Sequence, residues 1–186
     1  MTFSRRTLLA AVLAAGLTFP PAAFADPAVT PIDVAHSRAE FSVQHLFISR
    51  VRGSVPIVAG SVTLGDDGPS AVEATLDPKG LATDDRDRDN DLQGPDWFDT
   101  KNFPTWEFKS TRVVPGKDGA FSLEGNLTIH GVTQPIVLQV TTLRTAPHPA
   151  YRAVGHVDRH AFGMKVTRSD GLIGTDVQLT LDVQLD

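Results

Sequence analysis

The chain has 186 residues, 17 basic and 22 acidic side chains, 6 histidines and no cysteine. That length suits one domain, and a composition 41% hydrophobic and 21% charged is that of a globular protein rather than a disordered one. A formal charge of -5 argues against a nucleic-acid partner, and the lack of cysteine excludes disulfides, iron–sulfur clusters, thiolate zinc sites and a cysteine nucleophile.

Residues 1–25 read as an export signal. Arg5 and Arg6 give a positive start, and Leu8 to Leu17 form an apolar run too short to span a bilayer. Ala23-Phe24-Ala25 fits a small-x-small cleavage site. Ser4-Arg5-Arg6-Thr7-Leu8-Leu9 also resembles the twin-arginine export motif, with Leu8 where that motif usually has Phe, so either export route stays open. No second long apolar run follows, so the expected protein is periplasmic and does not span the membrane. Residues 26–31 read as a short linker, and residues 32–186 as one folded domain.

The domain alternates with period two. Arg38 to His45 puts Ala39, Phe41, Val43 and His45 on one face, and Arg38, Glu40, Ser42 and Gln44 on the other. Weaker strand signals cover 58–64, 71–77, 105–113 and 151–158. Asp84 to Gly94 is highly charged and breaks the rhythm; it reads as a short helix with Asp84 as a candidate N-cap. Phe121, Leu123, Gly125, Leu127 and Ile129 form one strand face. Ile136, Leu138 and Val140 continue it beyond a hairpin at His130-Gly131-Val132-Thr133. The closing segment sets Val177, Leu179, Leu181, Val183 and Leu185 against polar neighbours. About eight strands with one helical insertion predict an all-β barrel or sandwich.

Several blocks in order carry a resemblance. They begin with Asp33-Val34-Ala35-His36-Ser37, Phe41 to Leu46 and Val51-Arg52-Gly53. Arg86-Asp87, Asp91-Leu92 and Asp96-Trp97-Phe98-Asp99 with Phe103-Pro104 follow. Phe108 to Thr111, Gly125 to Thr133 and Arg159 to Met164 complete them. Together they resemble the YceI-like family over nearly the whole domain. Val55-Pro56 and Gly94-Pro95 depart from the family pattern, and Arg88-Asp89 repeats the Arg86-Asp87 pair, leaving two candidates for one position. The resemblance implies an eight-stranded antiparallel lipocalin-like β-barrel. It also implies an isoprenoid, an isoprenoid quinone or a similar long-chain lipid as ligand, with no further cofactor. It leaves a homodimer and a transient membrane contact open.

An eight-stranded barrel either fills itself with side chains or holds one slender ligand. The candidate ligand-binding residues are Phe41, Val43, His45, Arg86, Trp97, Phe98, Phe108, Leu127, Ile129, Phe162 and Met164. The strand residues among them, with Leu138, Leu179 and Leu181, read equally as core. Trp97, Phe98, Phe162 and Met164 fall in irregular segments and read as a barrel mouth or a plug. His45 reads as a head-group reader or a buried histidine bonded to backbone. Arg86 reads as a head-group anchor or the local partner of Asp87 or Asp91. Because each buried methylene contributes about 0.8 kcal/mol, a few isoprene units supply micromolar affinity without a strong polar anchor. The chain lacks a nucleophile elbow, a P-loop and a His-Glu-x-x-His motif. The expectation is therefore a binding protein. A filled-barrel stress-response interaction protein is the alternative, and a lipid-acting enzyme using His45 is a third reading.

Overall fold

The computed structural model describes residues 28–46, 48–65, 68–164 and 171–186. The proposed export signal lies outside them. The described strands are β1 (Ala28–Pro31), β2 (Arg38–His45), β3 (Ser49–Val55), β4 (Ile57–Gly65), β5 (Gly68–Leu76), β6 (Trp106–Pro115), β7 (Ala120–Ile129), β8 (Val132–Arg144), β9 (Ala150–Asp158) and β10 (Ile173–Gln184), with one α-helix, α1 (Arg86–Gln93), between β5 and β6. The all-β expectation holds, but the strand count is corrected from eight to ten: they form a single sheet in the order β1-β4-β5-β6-β7-β8-β9-β10-β2-β3, with every pairing antiparallel.

The two extra strands arise where the first long hairpin breaks on both sides. On one side, the Asp33 carboxylate accepts from the Ala35 and His36 amides at 3.1 and 3.2 Å, an Asx turn that takes the chain out of the ladder. On the other, Pro56 has no N–H to give. Residues 28–31, expected as linker, instead pair with β4 from Ala28↔Leu64 to Pro31↔Ser61. Ile32 then bridges Leu185 beyond the end of β10. The sheet thus curls back to its own first strand and surrounds one core, in which Leu185 is wholly buried.

Inside, the alternation is obeyed. Leu123, Leu127 and Ile129 of β7 and Ile136, Leu138 and Val140 of β8 are buried. They face inward because β7 pairs with β8 in unbroken register from Ala120↔Thr141 to Ile129↔Val132. The connecting residues His130 and Gly131 both have positive φ, 52° and 72°, the geometry of a two-residue type I′ hairpin. Gly131 is needed twice over, since a Cβ there would also lie 2.9 Å from Phe103 Cδ1.

The helix forms where it was expected, one residue later at its cap. Asp85, not Asp84, accepts from the Arg88 amide at 3.1 Å; Asp84 sits at φ 62°, outside the extended geometry an N-cap needs. No residue of α1 is fully buried, so polar contacts hold it down. Thr83, 4% exposed, gives its amide to Asp89 at 2.8 Å. Its hydroxyl and carbonyl accept from the Arg88 guanidinium at 2.8 and 2.7 Å. Of the two Arg–Asp pairs, Arg88-Asp89 therefore makes the buried contact. Beyond α1, the Phe98 and Thr100 amides donate to Leu92 and Gln93 carbonyls at 3.0 and 3.1 Å. That folds residues 94–104 back as a lid over one end of the interior.

Candidate functional site

Side chains do not fill the interior. A cavity of about 110 Å3 is lined by apolar residues from β2 through β10, among them Phe41, Val55, Phe108, Leu127, Ile129 and Leu181; Glu40 is the one charged residue among those that line it. A second chamber of about 80 Å3 lies against the lid, walled by Val43, Leu92, Trp97, Phe98, Met164 and Ile173. Phe41, Trp106, Ile129 and Leu179 line both and form the partition between them. Each space exceeds the ~10–15 Å3 that one water needs, yet an apolar wall offers water too few partners; voids of this kind stay dry and take up hydrocarbon.

The widest rings spare this space by retreating into the wall. Phe41 stands directly across the β2–β3 pair from Gly53, and a Cβ on Gly53 would come within 2.6 Å of Phe41 Cε1. Likewise, a Cβ on Gly125 would come within 2.6 Å of Phe108 Cε2. Each ring occupies volume that any other residue on the neighbouring strand would claim. The same Gly53 position is backed by Thr83, whose Cγ2 would lie 2.8 Å from the added carbon, so the α1 clamp and the Phe41 ring meet at one point of the wall.

Eight of the proposed site residues line the chambers: Phe41, Phe108, Leu127 and Ile129 the first, and Phe41, Val43, Trp97, Phe98, Ile129 and Met164 the second. Three stand elsewhere. Phe162 is 1% exposed and packs into the core at the turn after β9, where its carbonyl meets His130 Nδ1 at 3.3 Å. His45 ends β2 opposite Ile173 and Ser49, partly buried and outside both linings. Arg86 is exposed on α1, on neither chamber wall.

Two residues that the sequence reading did not single out matter as much. Trp106, the first residue of β6, is 7% exposed and packs edge-on against Phe98 with centroids 4.6 Å apart. Arg159, 3% exposed, lines the lid-side chamber. Its guanidinium donates to the carbonyls of Met164 at 2.8 Å, Gly174 at 3.0 Å and Ile173 at 3.1 Å. Its Cζ also lies 6.0 Å from the Trp97 ring centre, the outer limit of a cation–π contact. One side chain thus ties the turn after β9, the start of β10 and the lid together.

The shifted ionisable groups lie away from the chambers. Asp33 is held below its usual pKa by the His36 ring, 2.6 Å from its Oδ2. Asp182 is lowered by two Arg152 hydrogen bonds of 2.7 Å across the β9–β10 pair. Lys109 is raised by Glu73. His156 Nδ1 meets the Asp176 carboxylate at 2.9 Å on the outer face. The chamber walls are apolar apart from Glu40 and Arg159.

A family model for the YceI-like domain matches residues 31–185. A UPF0312 protein of Yersinia pestis is 32% identical over 157 residues, covering 80% of each chain. Among solved structures, Burkholderia cenocepacia BcnA superposes with a TM-score of 0.75 at 19% identity, covering 82% of this chain and 98% of that one. A polyisoprenoid binding domain from Saccharophagus degradans, implicated in plant cell wall breakdown, superposes with a TM-score of 0.70 at 13% identity, covering 86% and 98%. At these identities the two structures speak for the fold alone. The family model and the Yersinia relative, each spanning most of the domain, agree with the block order of the sequence: the chain belongs to the YceI-like family.

Proposed function

We propose that the protein binds and carries a long-chain lipid, an isoprenoid or isoprenoid quinone, in the interior of its curled sheet. The observation that carries this reading is the apolar interior space that side chains leave unfilled. A filled-barrel interaction protein, the competing reading, has no use for it. The polyisoprenoid-binding function named for the Saccharophagus domain supports the same ligand class.

Uptake follows from burial alone. Each methylene moved from water into the chambers contributes about 0.8 kcal/mol, and no polar wall opposes it. The two chambers are smaller than the ~300–1,000 Å3 of typical ligand pockets, so a long chain threads both only when the partition rings turn and the lid at 94–104 lifts. Exchange takes place at the lid end, in the periplasm that the N-terminal signal specifies. Near that end the β2–β3 hairpin presents Ile48, 90% exposed, and Leu46, 43% exposed, beside Leu172. Apolar tips of this kind enter the headgroup layer of a bilayer, and here they serve a transient contact during loading.

The test is native mass spectrometry of protein purified from its export compartment, followed by solvent extraction and lipid identification. A reproducible stoichiometric lipid is the expected result. A clean apo mass, with no uptake of quinones or polyprenyl lipids on titration, overturns the carrier reading in favour of the filled-barrel one.

A further inference from the structure

Trp106 carries the one buried side-chain nitrogen or oxygen among the described residues that has no hydrogen-bond partner, its indole Nε1. Burying an N–H unpaired costs about 1–3 kcal/mol, and buried tryptophans ordinarily find an acceptor. The residue is also one of the four that partition the two chambers. Its ring neighbour Phe98, edge-on at 4.6 Å, offers only an aromatic face, a second-order acceptor at best.

We infer that the Trp106 N–H, covered in this structure, becomes a ligand-binding donor when the partition rings turn to admit a chain, and takes an uncharged acceptor oxygen of the cargo at the level of the partition. The inference rests on the carrier reading and deepens it by naming what the cargo must bring. The acceptor belongs to a ketone, quinone, ester or amide. A phosphate is disfavoured, because the walls here are apolar and the cation among the lining residues, Arg159, already gives its guanidinium to three backbone carbonyls, so a buried anion there would be unpaired.

The test uses a matched pair of probes, farnesylacetone and the hydrocarbon in which a methylene replaces its carbonyl. Both are titrated against wild type and Trp106→Phe, which keeps an aromatic ring and removes the N–H. Affinities come from native mass spectrometry, and the indole N–H is followed by proton–nitrogen NMR, assigned by its loss in the variant. Wild type should prefer the ketone by about 2- to 12-fold, one neutral hydrogen bond's worth. The indole signal should move downfield with the ketone only. Trp106→Phe should erase the preference for the ketone over the hydrocarbon, whatever the smaller ring does to the affinity for both. Equal weakening of both probes, or a preference that survives in the variant, overturns the inference and leaves Trp106 a packing residue. Binding of neither probe to wild type overturns the carrier reading itself, and the inference with it.

Discussion

Replacing Gly53 with alanine tests whether the wall glycines set the bore of the interior. The new methyl would sit 2.6 Å from Phe41 Cε1 and 2.8 Å from Thr83 Cγ2, whereas ordinary carbon contacts begin near ~3.5 Å. Thr83 is held from three directions by Asp89 and Arg88, so the Phe41 ring yields, by roughly 1 Å, into the partition. Overpacking of this kind costs about 1–3 kcal/mol, which in a chain of this size lowers Tm by about 2–12 °C. Phe41→Ala destabilises through lost burial, but in that background the new methyl enters vacated space. The Phe41→Ala/Gly53→Ala double variant should therefore be more stable than the sum of the singles by about 1–3 kcal/mol, measured by urea unfolding. Additivity within about 0.5 kcal/mol, or a Gly53→Ala protein as stable as wild type, would refute the argument that ring and glycine share one volume.

Two further outcomes are expected. The Arg152 pair lowers the Asp182 pKa below 3.8, so its stabilisation is complete above that value and fades as pH falls through the lower folded value. Asp182→Asn should thus lower stability by a constant amount at neutral pH and converge on wild type below about pH 4, and parallel curves down to acid pH would count against the pairing. Arg88→Ala strips donors from the Thr83 hydroxyl and carbonyl and should cost about 1–3 kcal/mol, while Arg86→Ala should stay within about 0.5 kcal/mol; equal losses in thermal unfolding would dismiss the clamp.

Strands whose apolar face is unbroken are legible without coordinates. From Phe121 to Ile129 in β7, Ile136 to Val140 in β8 and Val177 to Val183 in β10, every second residue is Phe, Leu, Ile, Val or a single Gly, and these faces turn inward as the alternation predicts. In β3 the pattern thins, because Gly53 contributes no side chain to the face it belongs to. β1 is four residues long and mostly exposed, so it reads as linker until β4 pairs with it. The helix cap was ambiguous because two adjacent aspartates are chemically equal and only the left-handed φ of Asp84 separates them. For the site, alternation found the chamber walls on β2, β6 and β7. It did not find Arg159, whose acceptors come from a turn and a strand up to fifteen residues away. Nor did it mark Trp106: the alternation that turned Phe108 inward also turned Trp106 inward, but a missing partner is a property of neighbours in space. Phe162 and Met164 lie two residues apart, yet one packs behind the chamber wall and the other forms it.

The broken hairpin has a mechanical consequence. The interruption at Asp33–Ser37 and the one at Pro56 fall at the same level, so that side of the wall is two short ladders set end to end. The β7–β8 ladder, by contrast, runs from Ala120 to Ile129 without a shift. Stiffness is therefore distributed unevenly around the circumference, with a compliant sector that includes β2, the strand bearing Phe41, and a rigid one bearing Leu127 and Ile129. Any swelling of the interior would collect its strain in the first sector while the second keeps its shape, a hinge on one side and an anvil on the other.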